Sequence, residues 1–94
     1  MFKLKDTKGR NKYENGREAK ERFANVIKNV PSLKSAEVVL NSEDADESNY
    51  TIALICDFET MKDLDEYQVH PAHVEFGKFI TGVRESRACI DYEI

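Results

Sequence analysis

Apolar and polar residues alternate in four short stretches of the chain and recur every three to four positions in the stretches between, and the order of these two periods predicts the fold. Residues Met1 to Lys5, MFKLK, alternate apolar and basic, which sets Phe2 and Leu4 on one face of a short strand. The turn DTKGRN follows. From Lys12 to Val30 the apolar positions Ala19, Phe23, Val26, Ile27 and Val30 fall on one helical face, and Pro31 stops the helix because its ring and missing N–H cannot continue it.

A second strand is predicted over Ser35 to Asn41, SAEVVLN, and a third over Tyr50 to Phe58, with Ile52, Leu54, Cys56 and Phe58 on one face and Thr51, Ala53 and Ile55 on the other. Thr60 followed by Asp63 resembles a capping box and opens a helix that turns Met61, Leu64 and Tyr67 inward. His70 and Pro71 break it. Proline suits the first position of a helix, so a new one is expected from Pro71 to about Thr81, before a closing strand over Arg87 to Tyr92 with Ala88, Ile90 and Tyr92 on one face. Strand, helix, strand, strand, broken helix, strand is an α+β order, the ferredoxin-like βαββαβ arrangement with an antiparallel sheet. Its first strand lies between the third and fourth. Cys56 and Cys89 then stand on non-adjacent strands about 9.5 Å apart, too far for a disulfide, and both are expected as buried thiols.

Two helices cover one face of such a sheet. The other should alternate to polar if it met water, yet it offers Val39, Ala53 and Ile55, so a second copy related by a twofold axis is the expected cover. The predicted assembly is a homodimer.

Composition narrows the function. Ninety-four residues make one small domain, 1–94, whose core hides roughly 60 to 70% of the unfolded chain's surface. A net charge of −4 excludes a nucleic-acid partner, because phosphate contacts need clustered Lys and Arg; the basic residues from Lys3 to Lys12 lack interleaved aromatics and read as a solvated turn. No stretch is apolar enough for a membrane and no signal-peptide pattern occurs, so a cytoplasmic location is expected. The acidic loop NSEDADESN lacks the order and central glycine of a calcium loop, no cysteine–histidine ligand spacing is present, and no metal or other cofactor is expected.

Both histidines fall in one segment. YQVHPAHVEFG, Tyr67 to Gly77, closely resembles the signature of the stress-responsive A/B barrel (Dabb) family, and the likeness runs from FKLKD at the start through VPSL to DY near the end. The resemblance implies a ferredoxin-like unit that pairs sheet to sheet as a dimeric α+β barrel. Many relatives have no assigned activity, some are linked to stress responses, and a few cyclise polyketides. In cyclase-like members the second histidine of the motif is a base and the tyrosine positions or polarises the substrate, positions that match His73 and Tyr67. Many relatives also carry a histidine just upstream of the part that resembles FKLKD. This chain starts at Met1 inside that strand, which implies either a short central strand or a start further upstream.

The residues themselves support three readings. With Pro71 first in its helix, His73 lies in the first turn, where free N–H groups disfavour added positive charge and keep the imidazole neutral. Gly77 lies four residues on, on the same face, and leaves space above the ring. A homodimer that binds a small, partly apolar organic ligand beside His73, Tyr67 and Phe76 is the leading reading. An enzyme of cyclase or lyase type, with His73 as general base and Tyr67 as hydrogen-bond donor, is the alternative, and a purely structural stress-associated dimer the third. Whether the chain is an enzyme stays open. His70, pushed to extended backbone by Pro71, marks the helix break and not a site.

Overall fold

The computed structural model describes residues 1–92. In chain order it contains β1 (Phe2–Leu4), α1 (Lys12–Asn29), β2 (Ser35–Leu40), β3 (Ile52–Asp57), α2 (Met61–Val69), α3 (Pro71–Val83) and β4 (Arg84–Arg87). The strands form one antiparallel sheet in the order β2-β3-β1-β4. This is the ferredoxin-like α+β fold expected from the periodicity, with β1 between β3 and β4.

Local chemistry sets the element boundaries. Asn11 caps α1 reciprocally: its side chain accepts from the Glu14 N–H at 2.9 Å, and the Glu14 carboxylate accepts from the Asn11 N–H at 3.1 Å. Two orphan donors of the first turn are thereby satisfied. Ahead of it, Thr7 and Arg10 exchange backbone hydrogen bonds across Lys8 and Gly9, and Gly9 takes a φ of +80°, the left-handed conformation that glycine adopts without steric cost. Asn15, 2% exposed, donates from its side chain to the Lys5 carbonyl and the Thr7 hydroxyl, which fastens α1 to the end of β1.

The core lies between the helices and one face of the sheet. Leu4 and Ile52 rise from the sheet to meet Ala19, Phe23 and Val26 of α1 and Phe76, Ile80 and Val83 of α3, all buried. Phe23 and Phe76 meet edge to face with ring centroids 5.0 Å apart, the arrangement that aromatic quadrupoles favour. On β2 the alternation is plain: Ala36, Val38 and Leu40 are half-buried under α1, whereas Ser35, Glu37 and Val39 face outward.

Several local expectations are corrected. The closing strand is Arg84–Arg87, not Arg87 to Tyr92: α3 runs on to Val83, and the strand follows without a loop because Phe2 pairs with Arg87 and Leu4 with Arg84 across a bulge. Cys89 therefore lies past the strand and is exposed, while Cys56 is half-buried; both are free thiols. Met61 and Ile27, assigned to inward faces, are 49% and 40% exposed because each stands at the margin of its helix's apolar stripe. The outer sheet face carries Val39 and Ile55, 42% and 52% exposed, bordered by the charged Glu37 and Asp57. Among the described residues, no helix is long and apolar enough to cross a membrane.

Candidate functional site

The site is built at the junction of α2 and α3. Val69 ends α2, and His70 takes extended backbone, φ −64° and ψ 137°, as proline requires of the residue before it. The His70 Nδ1 then accepts the Ala72 N–H at 3.1 Å. His70 is thus the N-cap of α3, and its imidazole does the work a serine or asparagine does elsewhere. The expectation that it marks the helix break agrees with this geometry.

His73 faces back across the break. Its Nδ1 lies 3.2 Å from the Gln68 carbonyl oxygen, one of the last carbonyls of α2, which have no partner within their own helix. A carbonyl only accepts, so Nδ1 carries the proton and Nε2 presents a lone pair. Among the described residues, Nε2 has no hydrogen-bond partner. Burial holds the His73 pKa below the ordinary histidine value, against the opposing pull of the Gln68 carbonyl. The neutral ring expected from the helix N-terminus is the favoured form, though loss of solvent is the main cause.

Tyr67, 8% exposed, stacks obliquely on His73 with ring centroids 4.3 Å apart, and also meets Phe58 at 5.1 Å. The two residues lie six apart, on separate helices, and only the kink brings them together. Burial drives the Tyr67 pKa far above the ordinary phenol value, and the neighbouring Cys56 thiol adds to the shift. Burial likewise pushes the Cys56 thiol up, partly offset by the Tyr67 hydroxyl. Hydroxyl and thiol are close enough to perturb each other, although no hydrogen bond between them has regular distance and angle. At neutral pH all three groups are uncharged: Tyr67 and Cys56 hold their protons, and His73 offers a basic nitrogen.

Phe76 turns from His73 into the core against Phe23 and is 5% exposed. Of the three residues expected at a site, Tyr67 and His73 come together, and Phe76 packs in the core against Phe23. Cys56 and Phe58 are the additional neighbours. Their signal was present in the third strand's alternation, which set both on the inward face, but nothing in the sequence tied them to Tyr67.

Gly77 fits no packing need, since a Cβ built there would meet no atom within 4 Å. Two shallow surface depressions lie elsewhere. The larger, about 460 Å³ and open to solvent, is lined by Lys3, Lys5, Asp6, Lys12, Tyr13 and Glu85 among others, and the smaller by charged residues of α1 and Arg10. Neither touches Tyr67 or His73. Among the described residues no cluster of histidine, cysteine and acidic side chains is arranged to hold a metal ion.

An antiparallel sheet ordered β2-β3-β1-β4, covered on one face by α1 and α3, with a tyrosine and a histidine brought together across a helix break, defines a ferredoxin-like α+β protein. The chain belongs to the stress responsive A/B barrel domain family, whose model matches residues 1–94. Among solved structures it is similar to a dimeric protein of unknown function and ferredoxin-like fold from Bacteroides fragilis NCTC 9343. The two are 31% identical, the match covers 99% of this chain and 89% of that one, and the TM-score is 0.76. No curated protein matches the chain.

Proposed function

We propose that the chain is a cytoplasmic homodimer that binds a small, partly apolar organic molecule beside Tyr67, His73 and Phe76. The observation that carries this reading is the ring pair: a phenol and a neutral imidazole 4.3 Å apart, with the imidazole Nε2 unpartnered among the described residues. A ligand with a hydroxyl or enol can donate to that nitrogen while its apolar part covers the aromatic edges. The outer sheet face supports the dimer, since Val39 and Ile55 are half exposed and the similar protein from Bacteroides fragilis is itself dimeric.

A second reading shares the site. The lone pair on Nε2 gives His73 the form of a general base, and Tyr67, its proton held firmly, is a hydrogen-bond donor for an oxygen on which charge develops. A keto compound with an acidic carbon is the substrate class this pair suits.

Both readings are tested by titrating the protein with a panel of phenols and short β-diketones while following the ring resonances of His73 and, in the His73→Ala variant, those of Tyr67 by NMR. Binding should shift them, Tyr67→Phe should weaken the shift, and His73→Ala should abolish binding. A panel that leaves these resonances unmoved refutes the ligand site. If a diketone binds, proton–deuterium exchange at its acidic carbon, fast in the native protein and lost in His73→Ala, favours catalysis; equal exchange in both removes His73 as the base.

A further inference from the structure

We infer that His70 is a positioning residue for His73: by taking the Ala72 N–H it leaves the Gln68 carbonyl to the His73 ring, and so fixes which nitrogen of that ring is free to bind. The use of that nitrogen by a ligand rests on the reading above; the hold of one histidine on the other does not.

The coupling lies in the exchange of backbone partners at the break. In an unbroken helix each N–H donates to the carbonyl four residues back, so residue 71 would donate to Tyr67 and Ala72 to Gln68. Pro71 has no N–H to give. The Tyr67 carbonyl instead accepts the N–H of His70, at 3.2 Å, and the Ala72 N–H turns to the His70 Nδ1, at 3.1 Å. The Gln68 carbonyl is thereby released, and the His73 Nδ1 meets it at 3.2 Å.

In a capping box the side chain of the third helical residue accepts the N–H of the cap residue. His73 is the third residue of α3, but the N–H of the cap, His70, is already bonded to Tyr67. What remains for His73 is a carbonyl, which needs a donor. Proton placement follows: the His70 Nδ1 accepts, so its proton sits on Nε2, whereas the His73 Nδ1 donates and leaves its lone pair on Nε2. The two rings hold their protons on opposite nitrogens.

A free neutral histidine side chain favours the proton on Nε2, so the arrangement of His73 needs an external hold, which the hydrogen bond at Nδ1 supplies. Without the His70 acceptor the Ala72 N–H has no partner among the described residues, and the first turn of α3 loosens around His73. The ring then returns toward the Nε2–H form. In that form the nitrogen offered to a ligand donates and no longer accepts.

Long-range proton–nitrogen correlation NMR of the isotope-labelled full chain, in mildly alkaline solution where imidazoles are neutral, reads the protonation of each His73 ring nitrogen. The native protein should show a protonated Nδ1 and a bare Nε2. His70→Ala should move the Nε2 signal toward the protonated position, and His70→Asn, whose amide oxygen can accept the Ala72 N–H, should restore the native pattern. Asn11→Ala uncaps the distant α1 at a similar cost in stability and should leave His73 unchanged, which separates the local hold from general loosening. Should His70→Ala not fold by circular dichroism, His70→Gly, which cap positions tolerate, reads the same loss of acceptor. A native His73 with its proton on Nε2, or a pattern unmoved by loss of the His70 ring, overturns the inference. So does a shift that His70→Asn fails to reverse, or one that Asn11→Ala reproduces. None of these readings needs a ligand, so a panel that fails to bind refutes the site proposed above and leaves the hold of His70 on His73 standing.

Discussion

Gly77→Ala separates the protomer's own packing from whatever covers it. Gly77 is the seventh of thirteen residues in α3, so its whole helical turn is formed. A Cβ there meets no atom within 4 Å, so the added methyl group neither clashes nor gains contacts within the chain. What remains is backbone entropy: glycine in a helix interior is about 0.8–1.0 kcal/mol less favourable than alanine. For a domain of this size a change of about 1 kcal/mol moves the melting temperature by roughly 4–8 °C, so the variant should melt higher by about that amount. Gly82→Ala is the internal comparison. It also meets open space, but lies one residue from the end of α3, where the helix frays, and should gain less. Differential scanning calorimetry at a series of protein concentrations is the assay. A Gly77→Ala melting temperature equal to or below the native value would refute the reasoning, since it would mean that the space above Gly77 is filled in solution. If the gain appears and the Gly77→Ala protein binds ligand more weakly, the space belongs to the ligand.

Four further outcomes follow from the same structure. His70→Ala removes the acceptor of the Ala72 N–H and should lower unfolding free energy by about 1 kcal/mol in urea titration, with His70→Asn recovering most of it. Asn11→Ala breaks the reciprocal cap of α1 and should cost a similar amount, about 1 kcal/mol. Phe23→Ala empties the centre of the core beside Phe76 and should cost about 3–5 kcal/mol, a large share of the roughly 5–14 kcal/mol typical of a chain this size, so the urea midpoint followed by circular dichroism should fall more than for any of the other variants. For His73, the folded pKa lies below the unfolded value of about 6.5, so the unfolded state binds more protons in the window between them. The contribution to stability is therefore present above pH 6.5 and lost as pH falls through the folded pKa; His73→Gln should flatten that part of the stability–pH curve, and an unchanged curve would contradict the burial of the ring.

The sequence alone determined the order of elements, because periods of two and of three to four residues need no knowledge of neighbours, and Pro31 and Pro71 mark breaks through their own covalent geometry. It also named Tyr67 and His73, and it put Cys56 and Phe58 on the inward face of the third strand. Tertiary structure decided the rest. The closing strand is Arg84–Arg87, where the pairing with β1 sets Phe2 opposite Arg87 and Leu4 opposite Arg84, a contact between distant parts of the chain that periodicity does not report. Met61 and Ile27 are exposed despite their helical spacing, because the width of a helix's covered stripe depends on what packs against it. The approach of Tyr67 to His73 and Cys56 likewise requires the kink and the sheet together, since a contact between residues on separate elements is a property of the packed chain and leaves no periodic trace in the sequence.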